Sequence, residues 1–181
     1  MRAIGMRLPL ASVLAFTLAA LAPTALVAQD AAPGCGASEH RQFDFWLGDW
    51  TVTDSAGKTV YGSNRVTSEV SGCVVHEHWT SAGTGANANT GQSLNAYDLG
   101  TRQWGQDWVG SGGDVLHLRG GLVGGAMVLE GEARDPRGTL LRQRVTWTPY
   151  PDGRVRQFWQ TSADGGTTWS MAFDGWYRRA R

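Results

Sequence analysis

From Gly48 onward the chain alternates apolar and polar residues in short runs, and clusters of glycine with Asp, Ser or Pro interrupt those runs. Period-two alternation marks strands with one buried face. The interruptions include Ser55-Ala56-Gly57-Lys58, Ser71-Gly72, Gly110-Ser111-Gly112-Gly113, Asp135-Pro136-Arg137-Gly138, Pro151-Asp152-Gly153 and Asp164-Gly165-Gly166. Glycine supplies the positive φ that hairpin turns require, and Asp and Pro pre-shape them. The pattern predicts ten strands, over about 48–54, 59–70, 73–80, 92–98, 102–109, 114–120, 126–134, 139–148, 154–162 and 168–178. Nearly every connection is short, so an all-β, antiparallel up-and-down barrel is the expected fold, and closure removes the exposed sheet edges. The one long connection, Ser81 to Gly91, has no apolar anchor and reads as a mobile loop at a barrel mouth.

Alternation also assigns faces. Arg142, Arg144, Arg154 and Arg156 belong in water, which sends Leu141, Gln143, Val145 and Trp147, and then Val155, Gln157, Trp159 and Thr161, inward. On the same logic Trp104, Gln106 and Trp108 share a face, and Cys73, Val75, Glu77 and Trp79 lie opposite Val74, His76 and His78. The final strand offers Trp169, Met171, Phe173, Gly175 and Tyr177 as its inward set. The expected interior is thus aromatic with scattered amides and one carboxylate. Unpartnered, each such polar group costs about 1–3 kcal/mol to bury. Either they face water or a polar ligand in a cavity, or they bond each other in a filled core.

Before the first strand, Phe43, Trp46 and Leu47 fall at i, i+3 and i+4, with Ser38 as a cap and Gly48 as a stop. This predicts one short helical turn laid across an end of the barrel as an apolar plug.

Residues 1–28 read as a signal peptide. Arg2 and Arg7 precede an uncharged apolar run from Leu8 to Val27, and Leu26-Val27-Ala28 is an acceptable cleavage context. An uncleaved anchor is the alternative, which Pro9 and Pro23 disfavour. Residues 29–42 form an N-terminal arm and 43–181 the barrel domain. A periplasmic or secreted location follows, with no stable membrane insertion after cleavage. The full chain carries 16 basic and 16 acidic side chains, and the leader holds two of the basic ones. The remainder is slightly acidic, which argues against nucleic acid as a partner. Oligomeric state is not readable. In an oxidising compartment Cys35 and Cys73 read as a disulfide, two free thiols being the alternative.

The octapeptide Phe43-Asp44-Phe45-Trp46-Leu47-Gly48-Asp49-Trp50 resembles the opening of lipocalin-type (calycin) barrels, in which a helical turn leads into Gly-x-Trp. That resemblance implies that Trp50 packs across the barrel floor under a late basic residue, Arg178 or Arg179. The mature chain is similar to a family of exported bacterial proteins of unknown function with a lipocalin-like fold. Besides that opening, the Gly72-Cys73 strand with Glu77 and Trp79 and the Asp-Gly-Gly-x-Thr-Trp ending carry the likeness. A fainter similarity reaches nitrobindin-type haem barrels. Those bind haem through a histidine near the C-terminal end, whereas this chain has none after His117, so no haem or other cofactor is expected.

Three motifs bear on chemistry. Ser162 to Trp169 matches the Asp-box, a structural hairpin in which Asp bonds turn amides. His76-Glu77-His78 places two imidazoles on one strand face, able to chelate a metal only with a third ligand, for which His117 is the only other candidate in the predicted barrel; no metal is expected. Glu77, a carboxylate among tryptophans, is the candidate acid or base. The function expected is binding of a small amphipathic or aromatic molecule by Glu77, Trp79, Trp104, Gln106, Trp108, Gln143, Trp147, Gln157 and Trp159. The alternatives are an isomerase, cyclase or hydrolase using Glu77, and a structural protein with a filled core.

Overall fold

A computed structural model describes residues 34–180 of the chain. The leader expected over residues 1–28 and the start of the arm lie outside the described residues. No helix among the described residues is long and apolar enough to cross a membrane.

Ten antiparallel strands follow one another around a closed barrel: β1 (Gly48–Thr53), β2 (Val60–Glu69), β3 (Val74–Ser81), β4 (Thr90–Asp98), β5 (Gln103–Gly110), β6 (Val115–Val123), β7 (Ala126–Arg134), β8 (Leu140–Pro149), β9 (Val155–Ser162) and β10 (Ser170–Arg179). Each strand pairs with its neighbours in sequence, and β1 closes on β10 through pairs such as Trp50–Arg179 and Val52–Tyr177. This is the expected up-and-down architecture, compatible with a calycin-like barrel.

The expected faces hold along β3, β5, β8 and β9. Val75, Glu77, Trp104, Gln106, Gln143, Val145, Trp147 and Val155 are all buried. The arginines lie outside in ion pairs: Arg142 and Arg144 with Glu130, and Arg156 with Asp174 at 2.8 Å. On β10 the expectation fails at one end. Phe173, Gly175 and Tyr177 turn inward opposite Trp159, Gln157 and Val155, but the register shifts between Met171 and Phe173. The extra residue reverses the phase. Met171 is therefore 65% exposed, and Trp169 lies outside the barrel with the Arg144 guanidinium 4.1 Å above its ring.

The N-terminal turn is two 3-10 turns, Ser38–Arg41 and Asp44–Trp46, in place of one helix. Ser38 caps neither; its hydroxyl donates to Glu39 instead. The plug itself is as expected. Phe43 and Trp46 are fully buried and stacked at 4.9 Å between centroids, with Trp147 5.3 Å from each and Trp104 5.6 Å from Phe43. Trp50 donates to the Trp46 carbonyl at 2.8 Å, tying the plug to β1. Arg179 sits 3.9 Å over the Trp50 ring and donates to the Leu47 carbonyl. Gly48 has φ 134°, and a Cβ there would lie 1.9 Å from the Arg179 guanidinium, so only glycine fits between plug and strand. Arg178 bonds Thr53 and Ser55 instead of stacking.

The arm is held twice at the same place. Cys35 and Cys73 form a disulfide with Cα atoms 4.8 Å apart, and Arg41 donates to the Gly72 carbonyl beside it. The Asp-box is a structural hairpin between β9 and β10: Asp164 accepts from Thr168 N at 2.9 Å, from its hydroxyl at 2.6 Å and from Ser162 at 2.7 Å. These bonds hold the Asp164 carboxyl far below the usual carboxylate range.

Trp46→Ala is expected to lower the unfolding free energy by about 3–5 kcal/mol, the range for emptying a large aromatic site. Cys73→Ser opens a loop spanning 38 positions and is expected to cost about 2–4 kcal/mol. Denaturant titration of each variant beside the wild type measures both; a change below about 1 kcal/mol would contradict the stated roles.

Candidate functional site

The plug fills one end of the barrel. Toward the other end a cavity of about 900 Å³ opens, lined among others by Glu77, Trp79, Gln106, Trp108, Gln157 and Trp159. These are six of the nine residues that alternation proposed as binding residues. The other three sit deeper. Trp104 and Trp147 belong to the aromatic floor around Phe43, and Gln143 lies below the lining, where its carbonyl oxygen accepts the Trp159 indole N–H at 2.8 Å. Tyr61, Leu116, Phe173 and Tyr177 also line it.

The three lining indoles are fixed in orientation. Trp79 donates to Asn89 at 2.8 Å, Trp108 to Asp114 at 2.7 Å and Trp159 to Gln143. With their N–H groups committed, they offer the cavity their faces. Glycine makes room for them: a Cβ at Gly91 would lie 2.1 Å from the Trp108 ring, and one at Gly62 2.6 Å from the Trp79 ring. The Ser81–Gly91 connection, expected to be mobile, contains a 3-10 turn at Gly85–Asn87. It is also bonded back to the rim, with Asn89 N donating to the Ser81 hydroxyl at 2.8 Å and Ala82 N to the Tyr61 carbonyl at 2.8 Å.

A polar layer lies between the floor and the aromatic rim. Glu77 is 4% exposed; one of its oxygens accepts from Asn64 at 2.6 Å and the other from Ser93 at 2.7 Å. Asn64 also donates to the Tyr177 hydroxyl at 3.2 Å, which donates to Gln157. Asn95 donates to the Val75 carbonyl at 2.9 Å, and Gln106 to the Asn95 carbonyl oxygen at 2.9 Å. Ser93, Asn95 and Asn64 were not identifiable from sequence. On β4 the polar Ser93 and Asn95 are buried while Leu94 is 52% exposed, so hydrophobicity along this strand points the wrong way. The only available signal was register: Ser93 lies directly opposite Glu77 on the adjoining strand.

Burial pushes the Glu77 carboxyl up to about 7, against the opposing pull of Ser93, Asn64 and the more distant His76. Burial, then the Glu77 charge, raises the Tyr177 phenol well above its ordinary value. The Asn64 side-chain oxygen accepts no hydrogen bond. Turning that amide over would present this oxygen to a protonated Glu77, so the layer accommodates either protonation state. The described residues also include a second cluster on the outer face of β3: Glu69, His76 and His78, with ligand atoms within 4.8 Å of one another.

A carboxyl whose folded value is raised holds a proton that the unfolded chain releases. The stability it confers is complete below about pH 4.5 and is lost as pH rises toward about 7. The expected loss is roughly 3 kcal/mol, and Glu77→Gln is expected to remove it. Denaturant midpoints of both proteins from pH 5 to 8 measure this; parallel pH profiles would contradict it. In comparisons with known proteins, no protein-family model matches the chain and no curated protein aligns with it significantly.

Proposed function

We propose that the protein is an exported binding barrel for a small amphipathic or aromatic molecule. The observation that carries this reading is the cavity of about 900 Å³ whose aromatic walls are already held in place. Its size falls in the range typical of small-molecule sites, roughly 300–1,000 Å³. Trp79, Trp108 and Trp159 would stack on the apolar body of the ligand, and Glu77, Gln106 and Gln157 would orient its polar end. Because the indoles are hydrogen-bonded in place, little side-chain entropy is lost on binding. The same volume weighs against the filled-core alternative.

For the enzyme alternative, both oxygens of Glu77 already accept hydrogen bonds from Asn64 and Ser93, which favours an orienting role over proton transfer. The disulfide is compatible with an oxidising compartment. The Phe43 to Trp50 opening, with Arg179 stacked on Trp50, supports a place among exported lipocalin-like barrels.

Titration of the protein with 1-anilinonaphthalene-8-sulfonate, an amphipathic aromatic probe, is expected to quench Trp fluorescence saturably at one site. Trp108→Ala and Trp159→Ala are each expected to weaken binding at least tenfold, with circular dichroism confirming that each variant is folded at the titration temperature. Absence of saturation, or equal affinity in both variants, would remove the support for this function.

A further inference from the structure

The outer face of the β2–β3 hairpin carries a group of side chains that the barrel interior does not use. His76 and His78 alternate outward on β3, and their rings lie 4.0 Å apart between centroids. Thr67 pairs with His76 across the hairpin, so Glu69, two residues further along β2, shares their face. The connecting turn, with Val70 and Ser71 at φ 50° and 54°, folds β3 back against β2 at this point. Thr67 donates to the Glu69 carboxylate at 2.9 Å and holds it beside His76 Nδ1.

The hydrogen bonds of His76 leave one position without an explanation. Its Nε2 lies 3.0 Å from the Gln92 side-chain oxygen, which can only accept. In the tautomer with the proton on Nε2, Nε2 donates to that oxygen and Nδ1 faces the Glu69 carboxylate oxygen at 3.2 Å. In that tautomer both atoms are acceptors, an arrangement that a bridging cation satisfies. The buried Nδ1 makes no hydrogen bond of acceptable geometry to the carboxylate oxygen, although the two atoms lie within ion-pair distance. A metal ion does not need to lie on the line between the two atoms, and the neighbouring His78 ring supplies a third donor.

We propose that Glu69, His76 and His78 form a binding site for a divalent transition-metal ion of the Zn²⁺ class on the outside of the barrel. Two imidazoles and one carboxylate are a donor set suited to Zn²⁺, with a water in the remaining position. Tetrahedral coordination at Zn–N and Zn–O distances of about 2.0–2.2 Å places donor atoms roughly 3.3 Å apart. The present atoms lie within 4.8 Å of one another, so modest rotations of an exposed carboxylate and two partly exposed rings would close the site. Gln92 would act behind His76 as the partner that fixes its tautomer, the role such outer contacts usually take around a metal. Arg65, across from His78 in the ladder, is the nearby positive charge; it leans toward Asp49 at 3.9 Å. The site lies on the opposite face of β3 from Glu77 and does not depend on the cavity having a ligand.

The test is Zn²⁺ titration of the full, metal-free chain at neutral pH by calorimetry, together with His78→Ala, Glu69→Gln and the control His117→Ala. His117 is paired with Asp107 elsewhere on the outer surface. One saturable site is expected in the wild type and in His117→Ala, weakened at least tenfold in each of the other two. Circular dichroism confirms that each variant is folded, and all replaced side chains lie on the outer face. No saturable binding by the wild type, undiminished binding by His78→Ala and Glu69→Gln, or loss in His117→Ala would each overturn the assignment.

Discussion

A ten-stranded barrel encloses more space than its own side chains fill, and the Phe43–Trp46 wedge decides where that space is left. The two rings, stacked on one another and flanked by Trp104 and Trp147, are fully buried at one end. Every other feature of the interior follows from that asymmetry. The wedge is held by the Trp50 bond to the Trp46 carbonyl and by Arg179 over Trp50, which also joins the last strand to the first. The disulfide and Arg41 fasten the arm that carries it. The chain thus commits an extended N-terminal segment to sealing one end, and the strands are left open at the other.

Above the floor the interior changes character over a short distance. Hydrocarbon and indole give way to a layer of amides, hydroxyls and one carboxylate, and then to an aromatic rim. A polar layer inside a barrel is tolerable because its members bond one another: Asn64, Ser93, Asn95, Gln106, Tyr177 and Gln157 are linked among themselves or to Glu77, with only the Asn64 oxygen left over among these side chains. Desolvation shifts Glu77 and Tyr177 toward their neutral forms, so Glu77 changes charge around neutral pH while the Tyr177 phenol keeps its proton. In the binding reading proposed above, this layer would orient the polar end of a ligand and the pinned indoles would hold its apolar part. The outer face obeys different rules: there, solvent, ion pairs and the Glu69–His76–His78 group set the chemistry, separated from the cavity by a single strand.

The strand count, the hairpin order and the inward faces of β3, β5, β8 and β9 were determined by the sequence alone: glycine-rich turns mark the strands, alternation groups the faces, and on β8 and β9 arginine beside tryptophan in a period of two leaves only one assignment to water. The plug and the stacking of a late arginine on Trp50 came from the Phe43 to Trp50 octapeptide. Three things were decided only by the tertiary structure. Alternation assigns a face but not a depth, so it could not separate Trp104 and Trp147 on the floor from Trp108 and Trp159 on the rim; depth depends on how far each strand is offset around the barrel. A one-residue bulge between Met171 and Phe173 inverts everything before it, which put Trp169 outside. Partners across a ladder are far apart in the chain, so neither the Ser93 and Asn64 bonds to Glu77 nor the placement of Glu69 beside His76 could be read from local spacing. Face is a local property of a strand; depth and partnership belong to the register of the closed sheet.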